Sequence, residues 1–418
     1  MAAAKISPNQ IKIGYFIQLP VNWLKHPFIT NKFKIATLEQ IAIIQSLALE
    51  FVYFFPEKST ILPETPASET DTNVLQQQAA SLRSELEREK NTRIELAKEQ
   101  RRQIQRTEKA FEQSMVQIRN IMAKIGSRPL QAMDEAREMI HQIADTIVNA
   151  DALVLHLISQ AGKDQENLYY HALNVSILSM MLAKNLSFSE EDIKLIGLGA
   201  LFHDIGKLKI PTQVLRKTEA LTTPELNLLK LHTKYGVELL KLTEAFPIHA
   251  LDIVLQHHEM LDGSGYPSGL TANQIDKRAK VVAVVNEFDT LCHPQDQSKA
   301  RSPHHAMSYL FKSMKGKLEQ NYMAALIKMM GVYPPGTVVM LTDQRVGLVM
   351  SVNSEKILYP NVLIYDPHIP RLEAPVISLE EGKLAIDKVI KPSALPKAIY
   401  EYLNPRAQIS YYVQNEQG

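Results

Sequence analysis

Apolar positions recur with the period of a helix through most of residues 127–335. One helical stripe is formed by Leu168, His171, Val175, Leu178 and Leu182. Thr223-Pro224-Glu225 is typical of a helix start, because it combines a capping threonine, a proline in the first helical position and an acid in the first turn. We therefore predict an all-helical domain over these residues and a mainly α fold class for the protein.

The pattern is different in residues 1–57. The segment from Ile11 to Ile17 alternates and predicts a strand, and the segment from Glu50 to Phe55 predicts another. Thr37 is a plausible N-cap for a short helix between them. Because no catalytic constellation occurs here, we predict a small α+β module with a regulatory or scaffolding role. Residues 58–73 are rich in Pro, Ser, Thr and Glu, as is typical of a linker.

Residues 74–126 predict a long, charged helix. A heptad pattern starts at Val74, Leu75, Ala79, Leu82 and Leu86. It resumes, shifted by about one residue, at Ala97, Ile104, Phe111, Met115, Ile118, Met122 and Ile125. An interrupted seam indicates a coiled coil, either between subunits or folded back on the same chain. A homodimer through residues 74–126 and a solvated connector helix are both open.

Short strands are indicated in residues 336–418. The segments 338–341, 346–352 and 362–365 are rich in valine, leucine and isoleucine and are separated by Asn, Asp, Gly and Pro. We predict a small β-rich C-terminal module that packs on the helical domain.

Composition narrows the function classes. The net charge of the 418-residue chain is +1, so we predict neither a nucleic-acid nor a membrane partner. The most apolar stretch, from Ile41 to Phe55, is too short to span a bilayer, and the N-terminus lacks the apolar run of a signal peptide. We therefore expect a cytoplasmic protein. The single cysteine, Cys292, excludes an intramolecular disulfide.

Two adjacent pairs of residues carry the candidate chemistry: a histidine–aspartate pair, His203-Asp204, and a histidine–histidine pair, His257-His258. Imidazoles with a carboxylate are suitable ligands for iron, manganese or zinc, and such ions can activate water near neutral pH. If both pairs lie on helices, Asp204 is the natural bridge between two ions. The small residues Gly199, Ala200 and Gly206 are expected to leave room for an ion and substrate beside His203.

Other candidate residues have a structural alternative. Lys207 would lie one helical turn after His203, where it could neutralise a phosphate oxygen, although it could instead be an exposed, solubilising lysine. His171 and His232, taken singly, are more often hydrogen-bonded core residues than ligands. The glycine-rich loop at 263–269 does not have the dinucleotide-binding spacing, so we interpret it as backbone at the mouth of a site, where Tyr266 presents its ring and hydroxyl.

Together, these motifs resemble the HD-GYP subgroup of the HD phosphohydrolases. The resemblance covers about residues 130–335 and rests on three motifs: His203-Asp204-Ile205-Gly206-Lys207, His257-His258-Glu259 and Asp262-Gly263-Ser264-Gly265-Tyr266-Pro267. Ile13-Gly14-Tyr15, Trp23 and His26-Pro27-Phe28 are similar to an uncharacterised module that often precedes this domain. The resemblance implies a helical bundle with two or three iron or manganese ions that hydrolyses cyclic di-GMP to pGpG or GMP.

The resemblance also implies roles for single residues. The implied metal ligands are His171, His203, Asp204, His232, His257 and His258. Lys207 would contact a substrate phosphate, Tyr266 would line the pocket, and Asp262 would order the loop. Trinuclear members have a glutamate where this chain has Asn167, so we expect two divalent ions, iron or manganese.

This sequence departs from the family pattern at two places. Asn286 occupies the position of an expected ligand aspartate and would bring an amide oxygen without charge. Weaker metal binding is therefore expected, and compensation by Glu287 or Asp289 is left open. The stretch Cys292 to Lys299 replaces a phosphate-binding Arg-Pro-Tyr-Lys motif. Candidates for the missing positive charge are Lys280, Lys299 and Arg301.

We therefore expect a metal-dependent cyclic di-GMP phosphodiesterase with Asp204 and Lys207 as catalytic residues. Two alternatives stay open. One is a non-catalytic receptor or scaffold that binds cyclic di-GMP or a partner such as a diguanylate cyclase. The other is an HD hydrolase that acts on a different nucleotide.

Overall fold

The computed structural model describes most of the chain. The described residues are 4–21, 25–28, 31–60, 72–149, 153–158, 167–217, 219–294, 296, 299–353, 358–367, 369, 374, 376–380, 384–403 and 410–415. The chain divides into two compact units, residues 1–101 and 102–418, and the division falls inside one long helix. Among the described residues, no helix combines the length and apolar character needed to cross a membrane.

The first unit contains a four-stranded antiparallel sheet in the order β1-β4-β2-β3. Its elements are β1 (Ala4–Ile6), β2 (Phe16–Gln18), β3 (Lys32–Lys34), α1 (Leu38–Ser46) and β4 (Val52–Phe54). Thr37 caps α1 as predicted, and its hydroxyl accepts a hydrogen bond from the Gln40 amide at 3.4 Å. The predicted strand from Ile11 to Ile17 is wrong over most of its length. Gly14 has a φ of 90°, so the chain turns there and only the last two residues enter β2.

The predicted long helix is confirmed as α2 (Thr72–Lys124). Near its start, Ala79, Leu82 and Leu86 pack into the core of the first unit. Near its end, the core of the second unit includes Phe111, Met115, Ile118 and Ile121. The apolar residues at both ends of the heptad pattern therefore pack against other residues of the same chain. The side chains of Ala97 and Ile104 lie outside the described residues.

The second unit is mainly helical, which confirms the predicted fold class. Its helices before residue 335 are α3 (Pro129–Asn149), α4 (Asn167–Asn185), α5 (Glu190–Phe202), α6 (Thr212–Leu215), α7 (Thr223–Lys230), α8 (His232–Lys241), α9 (Ile248–Gln256), α10 (Lys277–Cys292), α11 (Pro303–Ser313) and α12 (Gln320–Met330). The cap of α7 is Thr222 rather than the predicted Thr223, and the Glu225 carboxylate accepts a hydrogen bond from the Thr222 amide at 2.7 Å.

The prediction that residues 127–335 are all helical is wrong at β5 (Leu153–Ile158). This strand pairs with two later strands in a seven-stranded antiparallel sheet. The other strands are β6 (Val338–Leu341), β7 (Val346–Asn353), β8 (Asn361–Ile364), β9 (Val376–Ser378), β10 (Ile386–Ile390) and β11 (Ser410–Asn415). A short apolar run gives no periodicity that separates strand from helix. The three strands predicted after residue 335 are confirmed as β6, β7 and β8.

Two glycines control how closely the helices around the candidate site approach. A Cβ atom on Gly206, in the 3-10 turn Ile205–Lys209, would collide with the backbone carbonyl of His232 on α8. A Cβ atom on Gly199 of α5 would lie 2.8 Å from Ile253 of α9. The prediction that Gly199 and Gly206 leave room for an ion and a substrate is therefore wrong. Their role is to allow close backbone packing, which brings histidines from different helices together.

Candidate metal centre

Five histidines and one aspartate from separate elements converge in the second unit. Asp204, His232, His257 and His258 place one ligand atom each within 4.8 Å of one another. The same holds for His171, His203 and Asp204. The structure therefore brings together all six residues that the resemblance named as ligands, in two groups that share Asp204.

The two oxygens of Asp204 face different groups. Its Oδ1 lies 3.3 Å from Nε2 of His232 and 3.9 Å from Nε2 of His257. Its Oδ2 lies 3.4 Å from Nε2 of His203 and 3.7 Å from Nε2 of His171. The side chain is buried, and Oδ1 has no hydrogen-bond partner among the described residues. A buried, unpaired carboxylate oxygen is costly without a cation beside it.

Backbone carbonyls fix the tautomers of three histidines. The Nδ1 atoms of His203, His232 and His257 lie 2.6, 2.8 and 2.9 Å from the carbonyl oxygens of Ala200, Leu229 and Val254. Because a carbonyl oxygen only accepts, each Nδ1 must carry the hydrogen. Each Nε2 therefore directs a lone pair into the centre, which is the orientation that a metal ligand needs.

The spacing of these Nε2 atoms suits a cation. Nε2 of His232 lies 3.3 Å from Nε2 of His257, and Nε2 of His203 lies 3.1 Å from Nε2 of His171. Because Nδ1 carries the hydrogen in both His232 and His257, their two Nε2 atoms are acceptors and cannot form a hydrogen bond with each other. Imidazole nitrogens around a buried carboxylate, one oxygen of which has no hydrogen-bond partner among the described residues, fit a divalent transition metal or zinc.

Burial keeps several of these imidazoles neutral. It lowers the pKa of His232 and lowers the pKa values of His257 and His258 well below the ordinary histidine value. Burial raises the pKa of Asp204, but Lys207 and His203 outweigh that effect and hold it well below its usual range. Neutral imidazoles and an ionised carboxylate are the protonation states that bind metal.

Asp289 contacts His171 at Nδ1, the ring nitrogen that faces away from the centre. Its Nδ1 donates to Oδ2 of Asp289 at 2.6 Å, and Asn174 Nδ2 donates to Oδ1 of Asp289 at 3.1 Å. Nδ1 of His293 also lies 3.1 Å from Oδ1 of Asp289. Burial raises the pKa of Asp289, but His293 and His171 lower it below its usual value. Asp289 thus orients a candidate ligand histidine, and among the described residues it belongs to neither group of candidate ligands.

Asn286 lies on the ligand side of His171. Its Oδ1 is 3.1 Å from Nε2 of His171, and its side chain is buried. Its Nδ2 has no hydrogen-bond partner among the described residues. The amide oxygen can therefore join His171, His203 and Asp204, but it adds no negative charge. Burial raises the pKa of the neighbouring carboxyl of Glu287.

Lys207 lies in a different structural element from the predicted one. Helix α5 ends at Phe202, so His203, Asp204 and Lys207 do not share one continuous α-helix. The prediction that they do is wrong, because the chain tightens into a 3-10 turn where Gly206 meets α8. In that turn the Nζ of Lys207 lies 2.6 Å from Oδ2 of Asp204.

The glycine loop is held in place by Glu259, the residue that follows the His257-His258 pair. The buried Glu259 carboxylate accepts hydrogen bonds from the backbone amides of Ser268 at 2.7 Å and Leu270 at 2.9 Å. Asp262 orders the loop as predicted, because its Oδ1 accepts from the Ser264 amide at 3.0 Å and from the Ser264 hydroxyl at 2.6 Å.

The loop places Tyr266 against a candidate ligand histidine. The Tyr266 ring stacks on His258, with ring centres 4.6 Å apart and an interplanar angle of 21°. Gly265 allows this approach, because a Cβ atom there would collide with the backbone of residues 258–260. Burial raises the pKa of the Tyr266 phenol well above its usual value, so the hydroxyl stays protonated.

The cations proposed to replace the family's phosphate-binding motif have other partners. Lys280 Nζ lies 3.8 Å from Glu319, and Lys299 Nζ lies 3.2 Å from Asp296. Arg301 lies over the ring of Tyr309 at 4.1 Å. Asn167 is the first residue of α4, but its side chain lies outside the described residues, so the expectation of two rather than three metals stays a prediction.

Comparison with known families identifies the domain that carries this centre. Residues 148–321 match the family model described as HD domain. These residues are similar to an HD domain. Residues 3–136 match a second model, described as "Domain of unknown function (DUF3391)". The predicted resemblance to an HD domain with a preceding uncharacterised module is confirmed. The second match continues past the predicted end of that module at residue 57 and includes α2.

Several relatives of the HD domain have named activities. "Cyclic di-GMP phosphodiesterase PA4108" of Pseudomonas aeruginosa is 27% identical over 365 residues, which cover 86% of this chain and 84% of that protein. "Cyclic di-GMP phosphodiesterase response regulator RpfG" of Xanthomonas campestris is 38% identical over 146 residues, 34% of this chain and 38% of that protein. "3'3'-cGAMP-specific phosphodiesterase 2" of Vibrio cholerae is 29% identical over 155 residues, 37% of this chain and 30% of that protein. The chain thus spans most of the first relative and well under half of the other two.

Two residues of the HD domain that shape the centre were not assigned from the sequence. Asp289 was left open as a possible compensating ligand, and Glu259 was quoted only as part of a motif. One signal was available for Asp289: it lies three residues after Asn286, so both side chains point to one face of a helix.

Proposed function

We propose that the protein is a metal-dependent phosphodiesterase that hydrolyses cyclic di-GMP to pGpG or GMP. The observation that carries this proposal is the single buried carboxylate of Asp204 between two groups of imidazole lone pairs. The choice of substrate is supported by a relative that is named as a cyclic di-GMP phosphodiesterase. The alignment with this chain covers 84% of that relative's length.

Two divalent ions, iron or manganese, would share Asp204. One would be held with His232, His257 and His258, and the other with His171, His203 and the amide oxygen of Asn286. When bound, such a pair polarises a phosphate and lowers the pKa of water to near neutrality.

The protein's own residues bind and neutralise the substrate. Lys207, which already contacts Asp204, is placed to stabilise charge that develops on the phosphoryl oxygens. The protonated hydroxyl of Tyr266 can donate a hydrogen bond to a substrate beside His258. Substrate contacts from Lys280 and Lys299 stay predictions, because both lysines have carboxylate partners in the structure.

The direct test starts from protein purified without oxygen. Its metals are counted, it is incubated with cyclic di-GMP and with 3'3'-cGAMP, and the products are separated by chromatography. We expect two metals per chain and conversion of cyclic di-GMP to pGpG or GMP. Faster turnover of 3'3'-cGAMP would assign the other cyclic dinucleotide, and metal-loaded protein that cleaves neither would refute the proposal.

A second candidate function is a receptor or scaffold that binds cyclic di-GMP and signals to a partner such as a diguanylate cyclase. The observation that favours it is Asn286, which contributes an uncharged oxygen to the second group of ligands. Tight binding of cyclic di-GMP without turnover by metal-loaded protein would select this function. Light scattering would test a homodimer through residues 74–126, although both ends of that seam already pack within their own units.

A further inference from the structure

Lys230 lies beside the candidate metal centre. It is the last residue of α7 and precedes the ligand His232 by two residues. Its Nζ lies 5.4 Å from the centre of the Tyr266 ring, within the range of a cation–π contact. Tyr266 in turn stacks on His258 at 4.6 Å. The ammonium group is therefore separated from the ligand histidines by a single aromatic ring.

Among the described residues, Lys230 differs from Lys207, Lys209 and Lys217 in that it has no carboxylate partner. Lys207 contacts Asp204 at 2.6 Å, Lys217 contacts Glu225 at 2.6 Å and Lys209 contacts Glu238 at 3.5 Å. Within the described part of the chain, Lys230 has no carboxylate within 4.0 Å, and its side chain is half-buried. An ammonium held over an aromatic face without a counter-ion attracts an anion.

The chemistry of a cyclic dinucleotide supplies such an anion. This class of molecule carries two phosphodiester groups, and only one of them can occupy the metal centre during a reaction. The second, non-reacting phosphate needs its own cation, and Lys207 is already committed to Asp204 at the centre. We propose that Lys230 binds the non-reacting phosphate of a cyclic dinucleotide, an assignment that rests on the proposed function.

The test compares substrates that carry one and two phosphodiesters. Cyclic di-GMP carries two, and bis(p-nitrophenyl) phosphate carries one. Lys230→Ala should raise KM for cyclic di-GMP about 10- to 100-fold with little change in kcat, as expected for loss of a charge-assisted contact. It should leave the hydrolysis of bis(p-nitrophenyl) phosphate unchanged, and Lys230→Arg should keep most of the affinity. The matched control is Lys234→Ala, an exposed lysine on α8, which should behave as wild type.

Three results would overturn the assignment. The first is an unchanged KM for cyclic di-GMP in Lys230→Ala. The second is an equal loss for both substrates, which would place Lys230 at the reacting phosphate. The third is the same loss in Lys234→Ala, which would indicate a general effect of surface charge. Metal content and circular dichroism verify that each variant is folded and loaded.

A failure of the proposed function can be distinguished from a failure of this inference. If wild-type protein does not turn over cyclic di-GMP, its Kd is measured by titration calorimetry in place of KM. A Kd that weakens about 10-fold or more in Lys230→Ala alone still supports the phosphate contact. Equal Kd values, or no binding by wild type, would reject it.

Discussion

The Nδ1 atom of His171 donates to the carboxylate of Asp289 at 2.6 Å, although 118 residues separate them in the sequence. The contact joins α4 to α10 and fixes the ring so that Nε2 points at Asp204 and Asn286. An ionised carboxylate on the far nitrogen also makes an imidazole a more basic ligand. Asn286, at Nε2 of His171, provides no negative charge. Asp289 provides one at Nδ1, on the other side of the same imidazole ring and therefore farther from the centre.

Asp289→Asn should weaken metal binding about 10- to 100-fold, because His171 loses the partner that fixes its tautomer. The measurement is metal affinity by competition with a chelator, together with turnover at saturating metal. Asp134→Asn, an exposed aspartate of α3, is the control and should leave both unchanged. Unaltered metal affinity in Asp289→Asn would show that the contact is only structural.

Asp204→Ala should lower turnover by about 1000-fold or more and reduce the metal content, because both groups of ligands share this carboxylate. Lys207→Ala is the matched comparison from the same turn. It should keep the metals but lower kcat by about 100- to 1000-fold, since it removes a charge that acts on the phosphoryl oxygens. Full turnover by Asp204→Ala would contradict the shared-carboxylate arrangement.

Asn286→Asp should tighten metal binding, because a carboxylate replaces an uncharged oxygen next to His171. We expect a gain of about 10-fold in metal affinity. A more anionic ligand set makes bound water less acidic, so the acid limb of the pH–rate profile should move to higher pH. If the wild type is a receptor without turnover, hydrolysis should appear in this variant. An unaltered affinity and profile would mean that Asn286 does not face the metal.

Gly206→Ala should destabilise the protein by about 1–3 kcal/mol, because the added methyl group collides with the backbone of α8. Since His232 is the first residue of that helix, the metal content should fall as well. Gly126→Ala is the control, because a Cβ atom at Gly126 meets no atom within 4 Å. Thermal unfolding and metal analysis of the two variants test this. Equal melting temperatures would refute the packing role of Gly206.

The metal-free protein should lose stability as the pH falls below the ordinary histidine pKa of 6.5. Burial lowers the pKa values of His232, His257 and His258 in the folded state, so the unfolded chain binds more protons in that window. Stability contributed by such groups is fully present above 6.5 and is lost as the pH drops through the folded values. Each fully titrating histidine contributes a slope of about 1.4 kcal/mol per pH unit.

This pH dependence is measured by denaturant unfolding between about pH 7 and about pH 5, the range in which histidines titrate. His257→Asn should flatten the curve, because one buried imidazole no longer takes up a proton on unfolding. The same slope in wild type and His257→Asn would contradict the prediction.

Local sequence patterns predicted several of the helices and strands. The long helix, the cap at Thr37 and the strands β6, β7 and β8 all follow from short-range periodicity and capping chemistry. The predictions that were wrong concern segments whose structure depends on backbone conformation or on distant hydrogen-bond partners rather than on local periodicity. Gly14 turns the predicted first strand, and β5 is a strand because its hydrogen-bond partners lie in β7 and β11.

The sequence by itself determined the residue types of the centre and their local order: adjacent His-Asp and His-His pairs, a lysine close behind, and a glycine loop before a tyrosine. Only the tertiary structure decided which side chains face the centre and which stand behind it. It placed Asp289 behind His171, Asn286 in front of it and Lys230 beside Tyr266. The physical reason is that these contacts join helices far apart in the chain. Their geometry is set by how closely the backbones can pack, as at Gly206 and Gly199, and local propensity holds no information about that distance.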